Sequence, residues 1–227
     1  MSDSRTHILA SIRQSLASAK LPERPAVTLT PPKPVTDRSA LADQFAVELQ
    51  ALLGKFMTVR QAEAAEVIVQ LVRERNAGRV LAWSADQLPV PELWDALHAA
   101  GLAMDFGEVD REAQRAARLK DEEQIVVGVT GADAALAETA TLALIAGPGR
   151  PRLAAMSVRT HIALITPDQL YPSLAAWLAS APDLSDRLRD RSQLVLISGP
   201  SRTADIEMTL TVGVHGPGEV IALLVQA

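Results

Sequence analysis

Three stretches, Ile125–Val129, Leu194–Ile197 and Val220–Val225, are almost unbroken apolar runs of four to six residues, each bounded by polar or charged positions. A strand with one wet face alternates apolar and polar side chains. An unbroken run demands cover on both faces, which is the situation inside a parallel sheet flanked by helices. Around these runs the sequence alternates. A helix is predicted over 41–53, a strand at 56–59, a helix over 61–75 and a strand at 79–83, with further strands at 141–145 and 161–165. Helices and strands taking turns predict a layered α/β fold with a central, mostly parallel sheet. With 227 residues and 48% hydrophobic content, the chain carries enough apolar material for one generous core.

Two segments fall outside that pattern. Ile8, Leu9, Ile12 and Leu16 recur at helical spacing within 3–19, predicting a short amphipathic helix with Asp3 or Ser4 at its start. Lys20 to Asp37 then carries Pro22, Pro25, Pro31, Pro32 and Pro34, which remove backbone donors and favour extended backbone. The expected organisation is an N-terminal helix (1–19), a proline-rich linker or wrapping arm (20–38) and an α/β domain (39–227). Inside the domain, Pro91 suits the start of a helix that Gly101 closes, and a polar helix is predicted over 109–119. The apolar faces of the 41–53 helix and of the N-terminal helix are assigned to the core, with a homo-oligomer interface as the other possibility.

Charge and cysteine content narrow the chemistry. A net charge of −5 gives no global attraction to nucleic acid or an anionic membrane. With no cysteine, the chain has no thiolate for an iron–sulfur cluster, a Cys-type zinc site or a redox dithiol, so any cluster chemistry belongs to a partner. No basic-then-apolar leader opens the sequence, and no apolar stretch of about 18 residues is present. A cytoplasmic protein is expected.

Ligands in open α/β sheets gather beyond the carboxyl ends of strands. Two segments are predicted there: Thr130 to Thr141, after the strand ending at Val129, and Ser198-Gly199-Pro200-Ser201-Arg202-Thr203, after the strand ending at Ile197. The second joins Gly199, three hydroxyls and a guanidinium ahead of a helix-compatible Ala204-Asp205-Ile206-Glu207-Met208. It reads either as an anion or carboxylate site or as a helix cap in which Arg202 pairs with a neighbouring carboxylate. Asp133, Glu138, Asp205 and Glu207 are candidate acids or bases. Glu138 sits in a run too apolar to welcome an unpaired charge, and reads either as a functional acid or as a salt bridge, with Arg202 as one partner. His215, in Gly213-Val214-His215-Gly216-Pro217-Gly218, lies on a glycine-rich turn that is either a plain loop or part of a site. Gly147-Pro148-Gly149-Arg150-Pro151-Arg152 begins like a dinucleotide fingerprint but has Arg152 at the third glycine position, and reads as a basic turn. No phosphate-binding Walker loop or serine-hydrolase elbow is present, and no His-x-x-x-His pair supports a metal.

Ala137-Glu138-Thr139-Ala140-Thr141, Ser198 through Glu207 and Gly213 through Pro217, in that order, resemble the lactate-utilization protein C family, whose core is the LUD domain. The resemblance covers about residues 40–227. It implies a NagB/RpiA/CoA transferase-like fold and a role in oxidising lactate to pyruvate beside iron–sulfur subunits. The clusters are expected in those partners, with none bound by this chain. The residues it singles out for a small anionic ligand are Thr139, Thr141, Ser198, Gly199, Ser201, Arg202, Thr203, Asp205, Glu207 and His215, with Glu138 as candidate catalytic group and Arg202 holding a carboxylate. Two positions depart from the family pattern. Ala140 replaces the usual glycine, which conflicts with any positive φ there, and Ser157-Val158-Arg159-Thr160 stands where prolines are common. A stand-alone enzyme acting on a sugar phosphate or acyl-CoA, with Glu138 as base or nucleophile, and a purely structural assembly protein are the competing expectations.

Overall fold

The computed structural model describes residues 2–19, 37–105, 125–191, 193–204 and 210–227. Two compact units divide the chain, Met1–Thr30 and Pro31–Ala227. The first contains helix α1 (Ser2–Ser18). Its stripe of Ile8, Leu9, Ile12 and Leu16 is 40–59% exposed, so the predicted amphipathic helix forms but its apolar face is not core. Most of the predicted proline-rich arm and the predicted polar helix over 109–119 lie outside the described residues.

The second unit opens with α2 (Arg38–Ala51), capped by Asp37, whose Oδ1 accepts from the Ser39 and Ala40 amides at 3.0 and 3.1 Å. Leu41, Ala42, Phe45 and Leu49 form its buried face. Helices α3 (Gln61–Glu74) and α4 (Leu93–Ala99) follow, and Gly101, at φ +75°, ends α4 by donating to His98 O. The strands, in chain order, are β1 (Lys55–Arg60), β2 (Arg79–Ala82), β3 (Ala103–Asp105), β4 (Ile125–Thr130), β5 (Ala134–Leu136) and β6 (Thr141–Ala146). They continue with β7 (Thr160–Ile165), β8 (Leu170–Tyr171), β9 (Gln193–Ser198), β10 (Arg202–Ala204), β11 (Leu210–Val212) and β12 (Glu219–Gln226).

Six of them form the central sheet, in the order β1-β12-β7-β4-β2-β3, with every neighbouring pair parallel. The expected α/β architecture is thus present, with a sheet that is parallel throughout. Val220 to Val225 are all buried, as an unbroken apolar run requires, and they join Ile162–Ile165, Val80–Ala82 and the inner faces of α2 and α3 in one core.

A second sheet, in the order β8-β5-β6-β9, was not anticipated. One face of β5 and β6 joins the main core. The other, with Ala134, Leu136, Ala143 and Ile145, packs with Trp177 and Leu184 from the short helices Leu174–Ser180 and Leu184–Arg189. The run at 194–197 belongs here, and the expectation that it is covered on both faces fails. Strand β9 is an edge strand paired only to β6, and its Leu196 is 47% exposed.

Glu219, the first residue of β12, clasps the amino edge of the parallel sheet. Its carboxylate accepts from Arg75 Nε (2.7 Å) and Nη2 (2.8 Å) at the end of α3, from Lys55 Nζ (2.6 Å) on β1 and from Thr160 Oγ1 (2.9 Å) on β7. The Arg75 guanidinium, helped by Lys55 and Thr160, holds this carboxyl down at about 2. Among the described residues no helix is long and apolar enough to cross a membrane.

Candidate functional site

The carboxyl ends of β2 and β4, where ligands are expected in such a sheet, are filled by protein. The turn Gly147–Arg150 folds over them: the Ser84 amide donates to Gly149 O at 2.8 Å, and the Arg150 guanidinium lies 4.8 Å from the centre of the Trp83 ring. Asp133 anchors this plug. Its Oδ1 accepts from Arg150 Nη1 (3.0 Å) and Arg187 Nη2 (2.9 Å), and its Oδ2 accepts from the Ile145 amide (2.7 Å). Asp133, a candidate acid or base by sequence, is therefore a nearly buried structural acceptor with its lone pairs taken.

Open space lies at the opposite end of the sheet. A cleft of about 570 Å³ is bounded by Met156–Arg159, which leads into β7, and by Val212–Gly218, which leads into β12. Because β7 and β12 are parallel neighbours, the cleft sits at their amino ends. His215 is exposed and lines it, so the glycine-rich turn contributes to a concave surface. Gly213, at φ +81°, lets that turn reverse, and the Gly213 amide donates to Ser201 O while the Ser201 amide donates to Pro217 O, both at 2.8 Å.

These two bonds staple the Ser198–Thr203 segment to the cleft loop. The segment does not enter a helix. Arg202, Thr203 and Ala204 form β10, paired antiparallel to β11, so neither Ser201 nor Thr203 begins a helix at Ala204. Asp205 and Glu207 lie outside the described residues. Arg202 sits directly opposite Val212 and shares its face of the ribbon, and Val212 lines the cleft. Gly199 has φ +76°, and a Cβ there would lie 2.8 Å from Leu52 Cβ, so both backbone angle and space require glycine.

Thr139, Thr141 and Ser198 form a second cluster. Thr141 and Ser198 are register partners on β6 and β9, and their hydroxyls are 2.7 Å apart; Thr139 Oγ1 is 2.7 Å from Thr141 Oγ1 on the other side. The intervening Ala140 has φ +45°, ψ +42° and is fully buried, so the backbone does adopt the left-handed conformation that makes glycine usual at this position. The three hydroxyls do not line the cleft. Glu138 is exposed, with its amide donating to Pro172 O. Its surroundings are therefore not the apolar burial that the sequence predicts, and among the described residues it makes no ion pair with Arg202.

The cleft's one cation among the described residues was missed. Arg159 is exposed, lines the cleft and has no carboxylate partner among the described residues. Neighbouring Glu219 does not neutralise it, being committed to Lys55, Arg75 and Thr160; only its amide touches the segment, donating to Arg159 O. Arg202 is likewise exposed and unpaired among the described residues. Sequence placed Arg159 just ahead of a strand, where a rule that looks past strand ends does not search. Among the described residues no group of three or more His, Asp or Glu is arranged to hold a metal ion.

Comparison with known proteins adds the following. The family model described as LUD domain matches residues 42–225. A lactate utilization protein C of Exiguobacterium is 35% identical over 66% of this chain, and the matched part spans 59% of that relative's length. The protein of the same name from Macrococcus caseolyticus is 30% identical over 71% of this chain and 67% of its own, and that from Bacillus pumilus 26% identical over 97% and 94%. Among solved structures, a DUF162 family protein from Deinococcus radiodurans superposes with a TM-score of 0.60 at 20% identity, covering 85% of this chain and all of that one, a likeness of fold.

Proposed function

Because this chain belongs to the LUD-domain family, we propose that it serves lactate utilization as the cluster-free subunit or accessory factor of a multi-component system oxidising L-lactate to pyruvate, and that its cleft binds a small carboxylate. The cluster-free part of this reading rests on composition. Without cysteine the chain does not fit an iron–sulfur cluster, and the electrons taken from lactate would pass to clusters held by partner subunits.

The carboxylate part rests on one observation: an exposed guanidinium without a carboxylate partner among the described residues lines the cleft, and a second, equally unpaired, is the register partner of a lining residue. Arg159 lines it, and Arg202 shares the face of Val212 at its rim. A guanidinium presents a planar pair of donors that matches a carboxylate. His215 lines the same cleft, and under this reading its imidazole hydrogen-bonds the neighbouring oxygen of a 2-hydroxy or 2-oxo acid. The hydroxyls of Thr139, Thr141 and Ser198 belong to a separate surface under this reading, and Glu138 is given no chemical step.

Calorimetric titration of the purified chain with lactate and pyruvate tests the reading, comparing wild type with Arg159→Ala. Saturable binding weakened tenfold or more in the variant is the expected result. Absence of binding to either acid by wild type rejects the carboxylate assignment. Turnover of a sugar phosphate or acyl-CoA by the isolated chain, abolished in Glu138→Gln, would establish the competing stand-alone enzyme.

A further inference from the structure

The Gly147–Arg150 plug has an outer surface as well as an inner one. Beyond the two arginines bound to Asp133, a cleft of about 530 Å³ is lined by Gly147, Pro148, Pro151, Arg152, Leu153 and Asp190, with Arg150 in its wall. Its volume is within the range of about 300–1,000 Å³ that small-molecule sites occupy.

The charges around this cleft do not balance. Arg150 and Arg187 share the carboxylate of Asp133, and Arg150 also acts on the carboxylate of Asp86. Arg152 donates to the neutral amide oxygen of Gln193 at 2.9 Å and keeps its charge uncompensated. The Arg191 side chain lies across Gly147, its Cδ and Nη1 each 2.8 Å from where a Cβ would stand, and it has no ion pair among the described residues. Asp190 is the one carboxylate in the lining. Four guanidiniums thus face three carboxylates, those of Asp133, Asp190 and Asp86, in a chain whose net charge is −5. The missing side chain at Gly147 provides the room that Arg191 occupies. Pro148, Pro151 and Leu153 supply a rigid apolar wall beside the charges.

We propose that this cleft binds the phosphate or diphosphate group of a small molecule, with Arg152 and Arg191 as its anion ligands and the rest of the molecule against Pro148, Pro151 and Leu153. A phosphoryl group carries up to two charges and three acceptor oxygens, so it can engage two guanidinium forks at once where a single carboxylate has only one charge and two oxygens to offer. Arg150, pinned between Trp83, Gln87 and Asp133, is fixed wall and adds field without moving. The inference is independent of the lactate reading, because the two clefts share no residue.

The test uses inorganic pyrophosphate and ADP as probes, in calorimetric titration of the full chain at low and at moderate salt. Wild type is expected to bind both, more weakly at higher salt, and Arg152→Ala/Arg191→Ala to weaken binding tenfold or more. Both side chains are exposed, so an unchanged thermal midpoint is expected to show that the double variant is folded. Arg159→Ala should leave the phosphate titration unchanged, and the double variant should leave any lactate or pyruvate binding unchanged, which separates failure of this inference from failure of the proposed function. Wild type that binds neither probe, or a double variant that binds as wild type does, overturns it. So does arginine-dependent capture of an acidic peptide in place of pyrophosphate and ADP, which would make the surface a protein dock.

Discussion

Ala140 carries a backbone conformation that alanine does not favour. At φ +45°, ψ +42° its Cβ crowds the following carbonyl, at a cost of roughly 1–2 kcal/mol. The turn nevertheless brings the hydroxyls of Thr139 and Thr141 within 2.7 Å, which consecutive members of a straight strand do not achieve. A β-branched residue is far worse there, both at χ1 and in a fully buried space. Ala140→Val should lose roughly 2–4 kcal/mol in urea denaturation, while Ala140→Gly stays within about 1 kcal/mol because relieved strain offsets the lost methyl. Equal stability of the valine variant and wild type would mean that the left-handed turn is dispensable. At this scale the sequence drew one ligand site where the fold makes two separate places, the hydroxyl cluster and the cleft that His215 lines, and it was poor about surroundings. Thr139, Thr141 and Ser198 do meet, and Gly199 does need its positive φ; but Glu138 is exposed because only one side of its short 3-10 turn packs on the core, and apolar neighbours in sequence do not reveal that.

Between residues and the whole lies the clasp formed by Glu219, which ties β1, β7 and the end of α3 to β12. Its folded-state value of about 2 lies below the ordinary 4.5, so the folded protein resists protonation where the unfolded chain accepts it. The stabilisation is complete above pH 4.5 and is lost as pH falls from there toward 2. Partial exposure of the group reduces the expected amount to roughly 1–2 kcal/mol. Glu219→Gln should lower stability at pH 7 by about that much or slightly more, since Arg75 loses its partner, and should flatten the dependence below pH 4.5. A variant as stable as wild type at pH 7 would reduce the clasp to a decoration. Five of the six strands of the parallel sheet were legible in the sequence; β3, only three residues long, was not. The second sheet was not legible as a sheet, although strands at 141–145 and 194–197 were expected: its Ala134–Leu136 is three residues long and alanine-rich, and in the separate ribbon β10 and β11 owe their strand form to pairing with each other rather than to any apolar period.

For the molecule as a whole, a general rule about parallel sheets pointed to one end and the cleft of Arg159 and His215 lies at the other, because Arg150, Trp83 and Asp133 pack into the crevice at the carboxyl ends of β2 and β4. The same neighbouring strands that frame the amino-end cleft also carry the main acid sensitivity. His161 on β7, opposite Val220 on β12, is fully buried with Nε2 2.8 Å from Thr130 Oγ1 and no partner for Nδ1 among the described residues, and burial pushes it down to about 4. The unfolded chain takes up its proton near 6.5 and the folded chain does not, so stability should fall as pH drops from 6.5 to 4, by about 2–3 kcal/mol. Below that window the Glu219 contribution follows on the adjacent rung, one residue earlier in β12. Urea midpoints measured from pH 7 to pH 3 should therefore decline continuously, with the upper part of the slope shallower in His161→Leu even if that variant starts from a lower midpoint. A wild-type midpoint that stays level between pH 6.5 and 4.5 would contradict this, and would mean that His161 meets water or a proton acceptor which keeps its charged form accessible in the folded state.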